Sequence, residues 1–359
     1  MTKQYKVIFL VVMIAILTGC ASVGPGTISR DRFDYNATLT ESWKRQILLN
    51  IVKMRYVEPV FFVDVGQIVA GYTVESGIAA GGSATLSNFN TSAAIETGLS
   101  GKYTDRPTIT YVPMTGNSFI KSLLTPLSPA SLMFAIQSGV PVDMIFKLGV
   151  ASINGLRNRS VPIAGFRPAE HKFLRVVENL HSLQTSGAIR TKAVKSKDNQ
   201  EITTISFWSK GAPKEIISQV RELQDLLGLD PGADNYSLVS GIMPENNREI
   251  AIQSFPVMQL LSFLSAKVDV PEKDISEGRA SSGVREATGD IAGKDKFIIK
   301  CSDNKPQDAF ASVMYRHRWF WVDDRDLESK RAISFIMFVF TLADTGKPES
   351  LPQITIPAQ

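Results

Sequence analysis

Two long stretches in the first third of the chain alternate between apolar or small residues and polar residues. The apolar or small residues of each stretch fall on one face of a strand. In residues 71–87 they are Tyr72, Val74, Ile78, Ala80, Ala84 and Leu86, and in residues 92–104 they are Ala93, Ile95, Leu99 and Tyr103. A period of two over this length indicates β-strands, and residues 87–91 between them can turn. The pattern predicts a β-hairpin with arms of roughly 13 to 17 residues, where about five or six is usual.

This predicted hairpin has two interpretations. Long alternating hairpins of small residues are what each subunit contributes to oligomeric membrane pores built from strands, as in some lipoprotein secretion channels, and a membrane-crossing strand needs about 9–11 residues. The residues that would then face lipid or a neighbouring copy are Tyr72, Val74, Ile78, Leu86, Ile95 and Leu99. The simpler interpretation is a protruding or sheet-embedded hairpin in water, because Ser76 and Gly82 interrupt the apolar face and alanine buries little surface.

The rest of the chain mixes helical and strand patterns. Apolar residues spaced by three and four predict helices at 36–56, 117–124, 129–137, 143–156, 168–184, 213–227, 256–267 and 326–342. Short strands are predicted at 60–63, 108–112, 188–194, 201–208, 236–242, 249–253, 297–301 and 318–323, with a mobile loop at 271–295 and an edge strand at 354–357. Antiparallel hairpins alternating with helices predict an α+β fold.

The N-terminus has the pattern of an export signal. Lys3 and Lys6 precede an uninterrupted apolar run from Ile8 to Leu17, which spans about 15 Å as a helix and so only half of a bilayer core. The run ends in Leu17-Thr18-Gly19-Cys20, which resembles the lipobox of bacterial lipoproteins. That resemblance covers residues 1–20 and implies a signal peptide that is removed and a Cys20 that carries lipid, palmitate included. It also implies the outer membrane, since no Asp follows the cysteine.

These features predict a division of the chain into four parts. They are a signal peptide at 1–20, a tether at 21–35, an N-terminal α+β domain with the long hairpin at 36–160 and a C-terminal α+β domain at 161–359. Removal of residues 1–20 leaves a net charge of about +2, which gives no reason to expect a nucleic-acid partner. Cys301 is then the only other cysteine, so an acylated Cys20 leaves no pair for a disulfide.

Candidate chemistry is sparse in this sequence. His171 and His181 lack a further His or Cys at ligand spacing, and His317 near Asp323 and Asp324 is an acid–base pair or, more simply, a solvated turn. Asp324 and Asp326 fit the N-terminus of the following helix, where negative charge is favourable. No nucleophile elbow, phosphate loop or dinucleotide-binding pattern occurs. We therefore expect no catalytic residue, cofactor or metal.

The aromatic strand Trp319-Phe320-Trp321 is the remaining candidate site. Alternation places Trp319 and Trp321 on one face, where they either pack in the core or form a platform on which a glycan stacks. The sequence favours a non-enzymatic lipoprotein on the periplasmic face of the outer membrane, with a structural, assembly or secretion-related role in the envelope. Its expected partners are the membrane, through the lipid, and another envelope protein or a second copy. A glycan-binding module of the cell wall or an envelope hydrolase is the alternative.

Overall fold

The fold is α+β, as predicted. The computed structural model describes residues 25–69, 71–87, 90–159, 167–195, 201–208, 211–283 and 298–343. Its helices are α1 Pro25–Arg55, α2 Gly116–Leu124, α3 Pro129–Gln137, α4 Val142–Gly149, α5 His171–Thr185, α6 Lys214–Leu227, α7 Val257–Ser265, α8 Glu272–Ser276 and α9 Leu327–Ala343.

Thirteen strands lie within the described residues. They are β1 Phe62–Val69, β2 Tyr72–Ser87, β3 Asn90–Asp105, β4 Thr108–Met114, β5 Val150–Ile153, β6 Leu156–Arg157, β7 Ile189–Lys195, β8 Glu201–Phe207, β9 Tyr236–Ser240, β10 Glu249–Ser254, β11 Lys300–Ser302, β12 Ala309–Tyr315 and β13 Arg318–Asp323. The predicted edge strand at 354–357 lies outside the described residues.

Helix α1 starts earlier than its apolar stripe predicts. It begins at Pro25, and residues 25–35 of the predicted tether are therefore helical. Proline suits the first turn of a helix, because its fixed φ is helical and its missing N–H is not needed there. The C-terminal half of the helix carries the buried face, with Ile47, Leu48, Ile51 and Val52 fully shielded from solvent.

The chain forms two compact units. Among the described residues, the first contains those of 25–39 and 62–114, and the second those of 40–61 and 115–343. The predicted boundary at residues 160 and 161 lies outside the described residues, but β5 comes before it, β10 comes after it, and the two strands pair in one sheet.

The described strands of the first unit form two antiparallel pairs that follow one another along the chain. Strand β1 pairs with β4, and β2 pairs with β3. We call residues 62–114 the β-ribbon. The sequence pattern predicts a short buried strand at 60–63, and this is wrong: β1 runs from Phe62 to Val69, and only Phe62 in it is buried. Strand β4 also continues through Pro113 to Met114, where proline predicts an end.

The second unit contains a six-stranded sheet in the order β6-β5-β10-β9-β8-β7. All its neighbours are antiparallel except β9 and β10, which are parallel. Helices α5 and α6 pack together beside it, and Phe173, Leu180, Leu223 and Tyr236 belong to the buried core. Gly228 ends α6 with φ of 66°, as its position in the sequence predicts.

The prediction of one helix over 143–156 is wrong beyond residue 149. Helix α4 ends at Gly149, and β5 and β6 follow as a hairpin in which Ile153 pairs with Leu156. Asn154 and Gly155, the two residues between them, both have positive φ. Asn-Gly is a strong signal for such a two-residue turn, so the hairpin overrides the apolar pattern.

A three-stranded sheet in the order β11-β13-β12 completes the described part of the second unit. Its central strand, Arg318–Asp323, coincides with the predicted aromatic strand, whereas β12 was not predicted from the sequence. The predicted mobile loop at 271–295 contains the short helix α8 at Glu272–Ser276, and residues 284–297 of it lie outside the described residues.

Candidate functional site

The hairpin predicted from the period of two is present. Sixteen residues of β2 pair with sixteen of β3, from Tyr72 opposite Asp105 to Ser87 opposite Asn90, with no shift in register. At about 3.4 Å per residue each strand extends for roughly 50 Å, and a bilayer core is about 30 Å thick. The hairpin is therefore long enough for either interpretation.

The register brings the apolar positions of both strands opposite one another. Such pairs are Val74 with Tyr103, Ile78 with Leu99, Gly82 with Ile95 and Ala84 with Ala93. The polar positions meet in the same way, in pairs that include Thr73 with Thr104, Glu75 with Lys102 and Thr85 with Ser92. Since cross-strand partners share a face, the hairpin of β2 and β3 has one face of predominantly apolar positions and one of predominantly polar positions.

Strands β1 and β4 continue the antiparallel pairing beyond the open end of the hairpin. Val69 pairs with Thr108, and between the two pairs of strands the Arg106 N–H donates to the Gly71 carbonyl at 2.8 Å. A bulge lies between Val65 and Gln67, next to Gly66. A Cβ atom on Gly66 would come within 2.8 Å of Val112 Cγ2, so glycine permits the close approach of the two strands.

Strand β4 is exposed over most of its length. Residues 108–113 are all exposed, with 38% of Ile109, 64% of Tyr111 and 48% of Val112 accessible to solvent. Within the described part of the chain, β2, β3 and β4 each have one partner strand. A two-stranded ribbon is marginally stable on its own in water.

Two groups of predicted site residues lie beyond what the structure describes. Cys20 and the rest of residues 1–24 are outside the described residues. For the hairpin the structure describes the backbone and not the side chains. The predicted site residues concerned are Tyr72, Val74, Ile78, Leu86, Ile95 and Leu99. The lipidation and the contacts of those side chains stay predictions.

The predicted aromatic platform lies on β13. Phe320 is fully buried, whereas Trp319 and Trp321 are half-buried, as strand alternation predicts. The Lys300 ammonium lies 4.8 Å from the ring centroid of Trp321, and that of Lys305 lies 5.6 Å from the centroid of Trp319. Both distances are within the range of cation–π attraction.

The lysine over Trp321 is itself held in place. Its Nζ lies 2.8 Å from Asp323 Oδ2, and this hydrogen bond lowers the pKa of Asp323. A sugar ring that stacks on Trp321 would have to move Lys300 away from both partners. The geometry therefore gives the glycan-platform interpretation no specific support.

A cluster that the sequence does not predict forms where α1 ends. The Val57 N–H donates to Met54 O at 3.0 Å and the Glu58 N–H to Lys53 O at 2.9 Å, which is the Schellman pattern. The left-handed residue of that motif is usually glycine, but here it is Val57, with φ of 61°. A β-branched residue in this conformation is a steric outlier.

Two more strained residues lie at the same cluster. Arg316 and His317 form the two-residue turn between β12 and β13, with φ of 49° and 62°. The Arg316 guanidinium is 3.1 Å from a Glu58 carboxylate oxygen, and the Tyr315 hydroxyl donates to the same oxygen. We call Val57, Glu58, Tyr315, Arg316 and His317 the strained corner. Backbone strain concentrates at functional positions, which makes this cluster a secondary candidate.

Tyr56 fixes the inner side of the strained corner. Its ring packs edge-on against Tyr315 at 5.4 Å and against Phe320 at 6.3 Å, and its hydroxyl donates to Asp274 Oδ2 at 2.7 Å. Burial, followed by the hydrogen bond to Asp274, raises the pKa of Tyr56 well above its ordinary value. The same two kinds of effect, burial and the bond to Glu58, raise the pKa of Tyr315.

Arg55 is a buried cation beside this cluster. It is 4% exposed, its Nη1 lies 3.3 Å from Ser281 Oγ, and its Nε has no hydrogen-bond partner among the described residues. Burial lowers the pKa of this guanidinium. Its place at the C-terminal end of α1 offsets part of that cost, because the helix dipole favours positive charge there.

The histidines and acidic residues singled out from the sequence do not converge. His317 is exposed in its turn, while Asp324 binds Lys330 at 2.8 Å. Asp326 accepts from the Ser329 N–H at 3.1 Å and so caps α9, as predicted. His171 begins α5, and His181 Nδ1 lies 3.7 Å from Asp143. Over the described ranges, no three His, Cys, Asp or Glu residues are grouped as a metal site requires.

None of the described helices is both long and apolar enough to cross a membrane. Comparison with models of known protein families, with curated proteins and with solved structures finds no match to this chain. The β-ribbon and the strained corner are thus the two candidate sites, and the ribbon is the one with a geometry that suggests a mechanism.

Proposed function

We propose that this chain is a lipid-anchored, non-enzymatic component of the bacterial envelope that joins copies of itself through the β-ribbon. Its place is the periplasmic face of the outer membrane, and its role is structural, in assembly or in secretion. The lipobox-like Leu17-Thr18-Gly19-Cys20 supports the anchor. The unbroken register of Tyr72–Ser87 with Asn90–Asp105 is the observation that carries the joining of copies.

The register supports joining because it gives the hairpin of β2 and β3 two unlike faces, and neither strand has a second partner strand among the described residues. In lipid each unpaired backbone group costs several kcal/mol, so a single ribbon cannot insert, but several copies that pair edge to edge into a closed ring can. In water an open edge is a template for another strand. Pairing between copies would provide hydrogen-bond partners for these backbone groups both in lipid and in water.

The first test places a charge on each face of the hairpin. Ile78, opposite Leu99, lies on the face of apolar positions, and Thr85, opposite Ser92, on the polar face. If the apolar face meets lipid, Ile78→Lys costs about 2–4 kcal/mol near the bilayer centre, while Thr85→Lys is tolerated. Sizing of the membrane-extracted protein should show an oligomer for the parent chain and for Thr85→Lys, and its loss for Ile78→Lys.

Thiol labelling supplies a second measurement that does not depend on size. Cysteines placed singly at positions 78, 95 and 85, in a background in which Cys301 is serine, are exposed to a water-soluble thiol reagent in intact membranes. We expect protection at 78 and 95 and reaction at 85. Free reaction at both 78 and 95 in a chain that runs as a monomer refutes the proposal.

A further inference from the structure

Arg55 is a buried charge without a counter-ion among the described residues. It is 4% exposed, and no described carboxylate forms an ion pair with its guanidinium. Burial lowers the pKa of Arg55, and the charge of Asp269 opposes this effect without an ion pair. A buried charge is unfavourable unless it is paired. A buried group that lacks a partner therefore marks stored strain, a functional role or the place of an ion or a water molecule.

One edge of the Arg55 guanidinium has no partner. Its Nη1 lies 3.3 Å from Ser281 Oγ, and a Cβ atom on Gly283 would overlap the group, so the backbone of Gly283 lies directly against it. Nε has no hydrogen-bond partner, and the described residues give none to Nη2 either. Nε and Nη2 together form an edge through which arginine binds two oxygens of one carboxylate or phosphate group.

A short segment holds this guanidinium against the end of α1. Its Ser281 N–H donates to the Arg55 carbonyl at 2.9 Å. Near its other end, Asp274 Oδ2 accepts from the Tyr56 hydroxyl at 2.7 Å. We call residues 274–283 the strap. The contacts of the strap with the end of α1 thus fall on the two consecutive residues Arg55 and Tyr56.

The charged side chains of the strap pair with one another. Arg279 forms ion pairs with Asp274 and with Glu277. Gly278 and Gly283 have φ of 71° and 68°, a backbone conformation that glycine adopts readily. Small residues often absorb the backbone changes at a hinge. The strap can therefore lift from Arg55 without breaking its own ion pairs.

We propose that the Nε–Nη2 edge of Arg55 is a binding site for an oxyanion, a phosphate or a carboxylate, and that the strap closes this site. An anion there supplies the missing counter-ion and accepts two hydrogen bonds. Nε is shielded from solvent, so the anion enters when the strap lifts. A strap with only a structural role would be served better by an apolar side chain at position 55, because no charge would then be buried. This inference goes beyond the proposed function and does not depend on it.

Chemical denaturation of the full chain in phosphate tests the site. Compared with chloride at equal ionic strength, phosphate should stabilise the parent chain in a saturable way, because the anion binds the folded state. Arg55→Met removes the guanidinium but keeps a long side chain, and it should lose this response. Arg331→Gln, at an exposed arginine outside the strap, is the control and should keep it. Acetate in place of phosphate shows which oxyanion the site prefers.

Gly283→Ala tests the strap while Arg55 stays intact. The added Cβ atom would overlap the guanidinium, so this variant should hold the strap open. The phosphate concentration at half-saturation should then fall by about fivefold or more, because the anion no longer has to lift the strap. An unchanged value decides against the proposal, and it does so even if Arg55→Met fails to fold.

Limited proteolysis measures the lifting of the strap directly. In saturating phosphate, cleavage by trypsin after Arg279 should become faster in the parent chain and not in Arg55→Met, while cleavage after Arg248, outside the strap, stays the same. An equal response of the parent and Arg55→Met to phosphate overturns the oxyanion site. So does the absence of any response together with a loss of stability in Arg55→Met. A response without faster cleavage after Arg279 overturns the closure by the strap.

Discussion

Val57 holds a backbone conformation that suits glycine, while its side chain is 78% exposed. The left-handed conformation costs an L-residue roughly 1–2 kcal/mol, and glycine avoids this cost but loses more entropy on folding. We expect Val57→Gly to raise the free energy of unfolding by about 0.5–1 kcal/mol, measured by chemical denaturation. Val57→Ala keeps the Cβ atom and should raise the free energy of unfolding by less than Val57→Gly does. A loss of stability in Val57→Gly would show that the valine side chain makes an essential contact.

Tyr56 should make stability depend on alkaline pH. Its pKa is raised in the folded chain, so the folded state holds the phenolic proton more tightly than the unfolded state, and this contribution is complete below about pH 10. It is lost progressively as the pH rises above that value. Denaturation between pH 8 and 11 should show a shallower decline for Tyr56→Phe than for the parent. Parallel declines would mean that another group titrates.

At the scale of elements, Asn158 holds the C-terminal end of α4 against the strand that follows. It is 2% exposed, and its Nδ2 lies 3.1 Å from Phe146 O and 2.7 Å from Val150 O. Asn158→Ala leaves buried carbonyls without a donor and should lower the free energy of unfolding by about 2–3 kcal/mol. Asn247→Ala, at an exposed asparagine, is the control and should change it by about 0.5 kcal/mol or less.

The elements that the sequence predicts well have a strict period or a clear end signal. The hairpin at 72–105 follows from alternation, and its register follows too, because a shift by one residue would move every apolar position to the other face. Strand β12, Ala-Phe-Ala-Ser-Val-Met-Tyr, lacks such alternation, so the pattern does not predict it. The hairpin at Asn154-Gly155 could have been found, since its turn signal is in the sequence.

The strained corner could not be found in the same way. Glu58 meets Tyr315 and Arg316 across 257 and 258 positions, and no local pattern reports a contact over that separation. Strain at Val57 is equally invisible, because valine in a sequence favours extended backbone. Only the folded chain shows that both features occur in one place.

At the scale of the whole molecule, we propose that lipid on Cys20 holds the chain at a membrane. Cys20→Ser should then abolish lipid attachment and leave an uncleaved or mislocalised precursor, because the lipobox resemblance makes this thiol the acceptor. Metabolic labelling with palmitate and fractionation of membranes measure both effects. Ala21→Ser, which leaves the cysteine intact, should behave as the parent. Normal membrane retention of Cys20→Ser without label would contradict the anchor.

The pairing of the β-ribbon has a consequence for the order of folding and assembly. Phe62 pairs with Met114 at one end of the β-ribbon, and Ser87 pairs with Asn90 at the other. The residue pairs between them are nested, so that each pair follows directly on the pair nearer the turn. The two arms can pair one residue after another, starting from Ser87 and Asn90. No step has to close a long loop, and closing long loops is what slows the folding of most β-proteins. Hairpins form in about 1–10 μs. If copies join through the β-ribbon as proposed, encounter with another chain and not folding of the hairpin sets the rate of joining, and this rate rises as more copies reach the membrane.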